Sequence, residues 1–109
     1  MTLVYLHNPR CSKSRQGLEL LINEVVTVRD YLKDPLSENE LKQLFGALNK
    51  KPIEVIRKKE AKELGLDNLS DSEWIQAISQ HPILLERPIL INGDKAIVGR
   101  PPELLLNIL

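Results

Sequence analysis

Cys11 is the only cysteine of this sequence and the residue best suited to nucleophilic chemistry. It follows a short apolar run at residues 3–6 and directly precedes a helical pattern, so we expect it at a helix start, where free N–H groups and the helix dipole stabilise an anion. Arg10, Lys13 and Arg15 add three nearby cations. The pattern predicts a thiol pKa below the usual value of about 8.5, and hence a thiolate nucleophile. The alternative is a small buried core residue.

Three arginines are candidate ligands for an anion. Arg87 precedes Pro88 at the head of one predicted strand, and Arg100 follows another, so both stand at element ends where side chains can converge. Arg57 stands in an apolar segment that we interpret as helical, which is an unusual place for a solvated charge. Guanidinium groups bind tetrahedral oxyanions through paired hydrogen bonds. Taken singly, each arginine is more often a surface residue, and only the fold can bring them together.

Composition and spacing exclude several other functions. Fifteen basic and fifteen acidic residues give zero formal net charge, so no global field favours nucleic acid or an anionic membrane. One cysteine and two separated histidines, His7 and His81, lack zinc-ligand spacing, and we predict no metal site. His7 lies four residues before Cys11 and either orients the loop of the site or is a structural histidine. A lone cysteine forms no internal disulfide and fits a catalytic thiol in a reducing compartment.

The elements that position these residues follow from local patterns. At 109 residues we expect one domain spanning the whole chain. Strands are predicted at residues 3–6, 25–28, 88–91 and 96–98, and an Asn92-Gly93 pair marks an antiparallel hairpin between the last two. Helices are predicted to begin at Ser12, Ser37, Pro52, Ser70 and the pair Pro101-Pro102, and a glutamate three residues after each of Ser37 and Ser70 predicts a capping box there. The apolar residues at helical spacing in these two helices predict their buried faces: Leu41, Leu44, Phe45 and Leu48 in the first, and Trp74, Ala77 and Ile78 in the second. A charged helical face is predicted at residues 58–63.

The element order indicates an α/β, thioredoxin-like fold with a four-stranded mixed sheet. A helical insertion separates an N-terminal βαβ unit, whose strands are parallel, from a C-terminal ββα unit. The first helix is expected over residues 12–23. Its buried face comprises Leu18, Leu21 and Ile22; the helix at Pro52 carries Ile53, Val55 and Ile56; the last helix covers the sheet with Leu104, Leu105, Ile108 and Leu109.

Three segments resemble a known family. Residues 7–15, HNPRCSKSR, resemble the H-N-P-x-C-x-x-S-R signature of the ArsC arsenate reductases of the glutaredoxin-dependent kind. Residues 85–89 resemble the R-P-I segment of that family, and residues 98–103 its closing G-R-P-x-E segment. Arg57 falls where the family carries another arginine. The resemblance covers essentially the whole chain, and the residues around Cys11 are similar to a chromosomal branch.

The resemblance implies a mechanism and a set of site residues. Cys11 would attack arsenate, glutathione would reduce the adduct to arsenite and remain on Cys11 as a mixed disulfide, and glutaredoxin would remove it. Pro88 would have a cis peptide bond beside the nucleophile. The substrate-binding residues would be Arg57, Arg87, Arg100 and Ser14, supported by His7, Asn8, Arg10, Arg15 and Pro88.

The implied partners are arsenate or a similar oxyanion, glutathione and glutaredoxin. We expect glutathione as a reducing co-substrate and no bound cofactor, and a monomer without nucleic-acid or membrane partners. No run approaches the roughly 20 apolar residues of a membrane helix, and the N-terminus lacks a signal-peptide pattern. We therefore expect the mature chain to begin at Met1, in the cytoplasm.

Two alternatives stay open. The same thiolate and cations suit a glutathione-dependent thiol/disulfide oxidoreductase, in which they would bind glutathione carboxylates. A non-enzymatic regulator resembling the Spx proteins, which bind RNA polymerase on the same fold, is the other. Those regulators often carry a C-x-x-C switch, whereas the second position here is Ser14, which weakens that interpretation.

Overall fold

The computed structural model describes residues 3–109. They form two compact units, one comprising the residues up to Asp34 together with Arg87–Leu109, the other comprising Pro35–Glu86. That the whole chain forms a single domain stays a prediction. The expected chain start at Met1 lies outside the described residues.

The first unit contains a four-stranded mixed sheet in the order β2-β1-β3-β4. Its strands are β1 (Leu3–His7), β2 (Val26–Asp30), β3 (Ile89–Asn92) and β4 (Lys95–Val98). β1 pairs parallel with β2 and antiparallel with β3, and β3 pairs antiparallel with β4. The predicted α/β, thioredoxin-like fold is therefore confirmed.

Strand ends differ from the prediction by one or two residues. β2 begins at Val26 rather than at residue 25 and continues to Asp30, so Arg29 lies within the strand. The hairpin between β3 and β4 is closed by the Asn92–Lys95 pair, which leaves Gly93 and Asp94 as the two turn residues. Gly93 has a φ of 63°. The glycine thus occupies the first central position of the turn, where a positive φ excludes most other residues.

Helix α1 (Ser12–Leu20) ends earlier than predicted. Leu21 caps its C-terminus and is buried, but Ile22 is 81% exposed, so its predicted burial is wrong. Because the chain leaves helical geometry at this cap, the i, i+4 spacing from Leu18 no longer brings Ile22 to the buried face. The periodic pattern identified the helix correctly but predicted an end at residue 23, three residues beyond the observed end at Leu20.

The core of the first unit lies between the sheet and α1. Its buried members are Leu3, Tyr5, Leu21, Leu90 and Leu105. The last of these comes from a 3-10 helix over Pro102–Ile108, where an α-helix was expected. Leu109 is 51% exposed, so the prediction that it covers the sheet is wrong.

The second unit is helical and contains α2 (Glu38–Leu48), α3 (Lys58–Glu63) and α4 (Asp71–Gln80). Ser37 and Ser70 each accept a hydrogen bond from the backbone three residues on, and the glutamate at that position returns the bond, so both predicted capping boxes are confirmed. The predicted buried faces are also confirmed: they comprise Leu41, Leu44, Phe45, Leu48, Trp74, Ala77 and Ile78.

The helix predicted at Pro52 is a single 3-10 turn over Pro52–Glu54. Val55 and Ile56 are buried but lie beyond it, and Ile56 forms a β-bridge with Leu85. The helical environment predicted for Arg57 is therefore wrong, because this residue is the N-cap of α3 and has an extended backbone.

Within residues 3–109, no helix combines the length and the apolar character needed to cross a membrane.

Gly17 of α1 packs so closely that a side chain would collide with the core. An added Cβ would lie 2.5 Å from Tyr5 Oη and 2.7 Å from Leu105 Cδ1. We expect Gly17→Ala to lower the free energy of unfolding by about 1–3 kcal/mol, since overpacking outweighs the gain in helix propensity. Gly46→Ala in α2 is the matched control, because a Cβ there meets nothing within 4 Å. It should raise stability by up to about 1 kcal/mol. Urea unfolding measures both, and changes of the same sign would contradict the packing argument.

Candidate active site

Cys11 is the N-cap of α1, at the end of a loop that begins after β1. Asn8 holds this loop twice: its carbonyl accepts the Cys11 N–H at 3.0 Å, and its Oδ1 accepts the Arg10 N–H at 3.0 Å. Arg15 reaches back from α1 and donates from Nη1 to the Pro9 carbonyl at 2.8 Å. The loop conformation is therefore fixed by local bonds on both sides of the thiol.

Ser14 is fully buried in the first turn of α1. Its hydroxyl accepts the Asn8 N–H at 3.0 Å and lies 2.7 Å from His7 Nδ1, while its carbonyl accepts the Tyr5 hydroxyl at 2.5 Å. The side chain has no exposed surface, and its hydrogen bonds hold the loop. That this hydroxyl binds substrate, as the family resemblance implied, stays a prediction.

His7 faces Ser14 from the end of β1 and pairs in register with Asp30 of β2. Burial lowers the pKa of the imidazole; the Asp30 carboxylate raises it and Arg15 lowers it, and the net result is a pKa below the ordinary value. A neutral imidazole at Nδ1 either donates to the hydroxyl or accepts from it. Of the two roles considered from the sequence, the contact corresponds to orientation of the loop.

The Cys11 thiol is partly buried, and its surroundings favour the thiolate. Burial is the largest single cause and raises its pKa. The opposing causes are together larger, so the net pKa lies below the usual value; they are the backbone N–H of Ser14, the guanidinium of Arg87 and the backbone N–H of Lys13. The lowered pKa agrees with the predicted direction of the shift, and the part played by backbone N–H groups agrees with the predicted effect of the helix start. The acting cation differs from the prediction: Lys13 contributes through its backbone, and Arg15 is bonded to a loop carbonyl.

Arg87 and Arg100 both reach the thiol. Arg87 is buried, with 8% of its surface exposed, and its guanidinium lowers the pKa of the thiol. Arg100 donates from Nε to the Arg87 carbonyl at 2.8 Å and places Nη2 3.9 Å from Cys11 Sγ. Among the described residues, nothing accepts a hydrogen bond from Nε or Nη1 of Arg87. Buried donors without acceptors are costly, so this guanidinium is prepared for a further acceptor beside the sulfur.

Pro88 follows Arg87 through a cis peptide bond, as the family resemblance implied, and its ring is fully buried. A second cis bond joins Arg100 to Pro101 and was not predicted. Each of the two arginines near the thiol is thus followed by a cis proline. The carbonyl of Pro88 accepts the Gly99 N–H at 2.8 Å, which ties the two segments together.

Arg57 belongs to the second unit. There its Nε lies 3.1 Å from Glu60 Oε2, and its N–H donates to the Leu84 carbonyl at 2.7 Å. Its participation in an oxyanion site stays a prediction. The side chain of Arg10, another predicted supporting residue, is exposed.

The sequence interpretation missed Tyr5. In the sequence it is one residue of an apolar strand, and nothing in the pattern of β1 indicates that its hydroxyl makes a hydrogen bond near the site. Only the approach of α1 to the sheet reveals the bond to Ser14.

A thioredoxin-like sheet that presents one thiol of lowered pKa beside two arginines defines a thiol-dependent protein of this fold class. The ArsC family model matches residues 6–108, and the chain belongs to the ArsC family.

Several known proteins are similar to this chain over most or all of its length. The chain is 46% identical to an arsenate reductase of Haemophilus influenzae over the whole of both sequences. It is 44% identical to an arsenate reductase of Neisseria meningitidis, over 89% of each. A solved structure of an arsenate reductase from Vibrio cholerae superposes with a TM-score of 0.89 at 40% identity, covering 100% of this chain and 98% of that one.

Proposed function

We propose that this chain is an arsenate reductase that uses glutathione and glutaredoxin through the single nucleophile Cys11. The observation that carries the proposal is a pair of buried donors on Arg87 that meet no acceptor within the described part of the chain, next to a thiol of lowered pKa. A tetrahedral oxyanion supplies acceptors with the spacing that a guanidinium fork prefers. Membership of the ArsC family and the names of its similar proteins support arsenate as that oxyanion.

In the first step the Cys11 thiolate attacks the arsenic of arsenate. An S–As bond forms, and one arsenate oxygen takes up protons from solvent and leaves as water, so arsenic stays As(V). Arg87 and Arg100 neutralise the remaining oxygens, which allows one anion to approach another. Charge-assisted hydrogen bonds from guanidinium groups are suited to this task.

In the second step a glutathione thiolate attacks the Cys11 sulfur. An S–S bond forms, and the S–As bond breaks with its electron pair left on arsenic, which reduces As(V) to As(III) and releases arsenite. A glutaredoxin thiolate then attacks the glutathione sulfur and displaces Cys11. External thiols are required because the sequence contains no second cysteine, and a thiol of low pKa is a good leaving group in the last exchange.

Intact-mass spectrometry during turnover tests this order of events. With arsenate and glutathione but no glutaredoxin, the chain should accumulate with one glutathione, because no internal thiol can displace it. Adding glutaredoxin, glutathione reductase and NADPH should remove the adduct and start NADPH consumption that depends on arsenate.

Two results would contradict the proposal. Arsenate-dependent NADPH consumption without any glutathionylated intermediate would exclude the single-thiol scheme. A glutathione adduct that forms equally well without arsenate, together with reduction of a glutathionylated substrate, would favour the thiol/disulfide oxidoreductase instead.

A further inference from the structure

Tyr5 lies in the core with its side chain fully buried, yet its hydroxyl ends at the backbone of α1. It donates to the Ser14 carbonyl in the first turn of the helix. The space for this approach exists because residue 17 is glycine: a Cβ there would lie 2.5 Å from the phenol oxygen. The hydroxyl therefore reaches the backbone of the helix, at the Ser14 carbonyl.

Regular helix geometry does not require this bond. In regular α-helix geometry a carbonyl accepts the N–H four residues further on, which for Ser14 is the N–H of Leu18. The hydroxyl of Tyr5 is thus an additional donor to the Ser14 carbonyl. Their hydrogen bond is a polar contact at the edge of the apolar core cluster to which Tyr5 belongs. Phenylalanine would fill the same space without burying a hydroxyl.

Ser14 is the residue through which Tyr5 reaches the nucleophile. The Ser14 N–H is one of the groups that stabilise the Cys11 thiolate. The same residue is held at its carbonyl by Tyr5, and at its hydroxyl by Asn8 and His7. The carbonyl and the hydroxyl of Ser14 are therefore both restrained by hydrogen bonds, in the first turn of the helix that Cys11 caps.

We propose that Tyr5 is a positioning residue for Cys11: its hydrogen bond to the Ser14 carbonyl fixes the first turn of α1, the helix whose N-cap is Cys11. The effect on the thiol is independent of the substrate. Its effect on turnover rests on the proposed arsenate reductase function.

The ionisation state of Tyr5 agrees with this role. Burial is the main cause that raises its pKa to about 12, the contacts with Ser14 and Leu18 oppose the shift, and the nearby Cys11 thiolate adds to it. The phenol stays protonated and keeps its proton available to the carbonyl over the range in which Cys11 titrates. The charged groups facing the sulfur are Arg87 and Arg100.

Tyr5→Phe tests the proposal, with Tyr31→Phe as matched control. Tyr31 is the only other tyrosine of the sequence and is equally buried. The Tyr5 variant should raise the pKa of the Cys11 thiol, followed by thiolate absorbance against pH. It should also slow alkylation by iodoacetamide at neutral pH by about three- to tenfold, the effect of one hydrogen bond. The Tyr31 variant should leave both values unchanged.

A purely structural role predicts a different pattern. If Tyr5→Phe lowers stability in urea but leaves the thiol pKa at the wild-type value, the positioning role is wrong, and equal pKa shifts in both variants exclude it too. Turnover adds a second readout: kcat should fall in the Tyr5 variant at neutral pH and recover at higher pH, where the thiolate forms again. The thiol titration uses neither arsenate nor glutathione, so its outcome is separate from that of the proposed function.

Discussion

Cys11→Ser is expected to lower arsenate-dependent turnover by at least about a thousandfold, because it removes the nucleophile on which every proposed step depends. A serine hydroxyl is not ionised at neutral pH, and it cannot form the mixed disulfide with glutathione that glutaredoxin reduces. The measurement is NADPH consumption with arsenate, glutathione, glutaredoxin and glutathione reductase. No glutathione adduct should appear on the variant by intact mass.

The same substitution should leave the fold intact. Cys11 is the N-cap of α1 and its side chain makes no capping hydrogen bond there, whereas serine is among the residues preferred at this position. We therefore expect Cys11→Ser to be at least as stable as the wild type in urea. Loss of activity together with retained or raised stability assigns the effect to chemistry. Arsenate-dependent turnover above one-tenth of the wild-type rate would contradict the role of Cys11.

Elements whose signals are local were predicted well from the sequence. The capping box at Ser37 and the hairpin around Gly93 depend on residues a few positions apart, and both are present. Errors fall where a distant contact decides the outcome. Ile22 is exposed because α1 stops, and Ile56 is held by a bridge to Leu85, so the segment before Arg57 is extended and not helical.

The site residues show the same contrast between features set by neighbouring residues and features set by distant contacts. The position of Cys11 at a helix start follows from the adjoining strand and helix patterns, so the sequence indicated a lowered thiol pKa. The cation that lowers the pKa of the thiol could not be identified from proximity in the sequence. Arg15 is nearer along the chain but bonds a loop carbonyl, whereas Arg87 directly precedes β3, the strand that pairs with β1. Tyr5 was missed for a related reason, since its partner Ser14 belongs to another element.

Arg87→Lys is expected to lower kcat/KM for arsenate by about ten- to hundredfold, although the positive charge is kept. The loss of one charge-assisted contact commonly costs about 1.5–3 kcal/mol. The Arg87 guanidinium lowers the pKa of the Cys11 thiol, and two of its buried donors, Nε and Nη1, meet no acceptor among residues 3–109. A lysine ammonium is a compact point charge that cannot contact the sulfur and also present a planar fork to an oxyanion. The coupled NADPH assay over a range of arsenate concentrations gives the value.

A second measurement separates binding from turnover. Arsenate that occupies the site should protect Cys11 from alkylation in the wild type, and this protection should weaken in Arg87→Lys. Because protection requires neither glutathione nor glutaredoxin, it remains informative if the reducing partners differ from those proposed. The alkylation rate without arsenate reports whether lysine still lowers the pKa of the thiol.

Arg29→Lys is the matched control, since it makes the same chemical change elsewhere in the first unit. Arg29 lies in β2, where its Nε is 3.2 Å from Asp34 Oδ2 and donates to the Asp34 carbonyl at 2.9 Å. The Asp34 side chain is 74% exposed, so the ion pair is open to solvent at the carboxylate and contributes about 0–1 kcal/mol, and lysine keeps its positive charge. Activity and arsenate protection should therefore stay at the wild-type level. If Arg87→Lys retains both as fully as Arg29→Lys, with folding unchanged, charge alone is sufficient beside Cys11. The buried donors of Arg87 then do not bind the oxyanion.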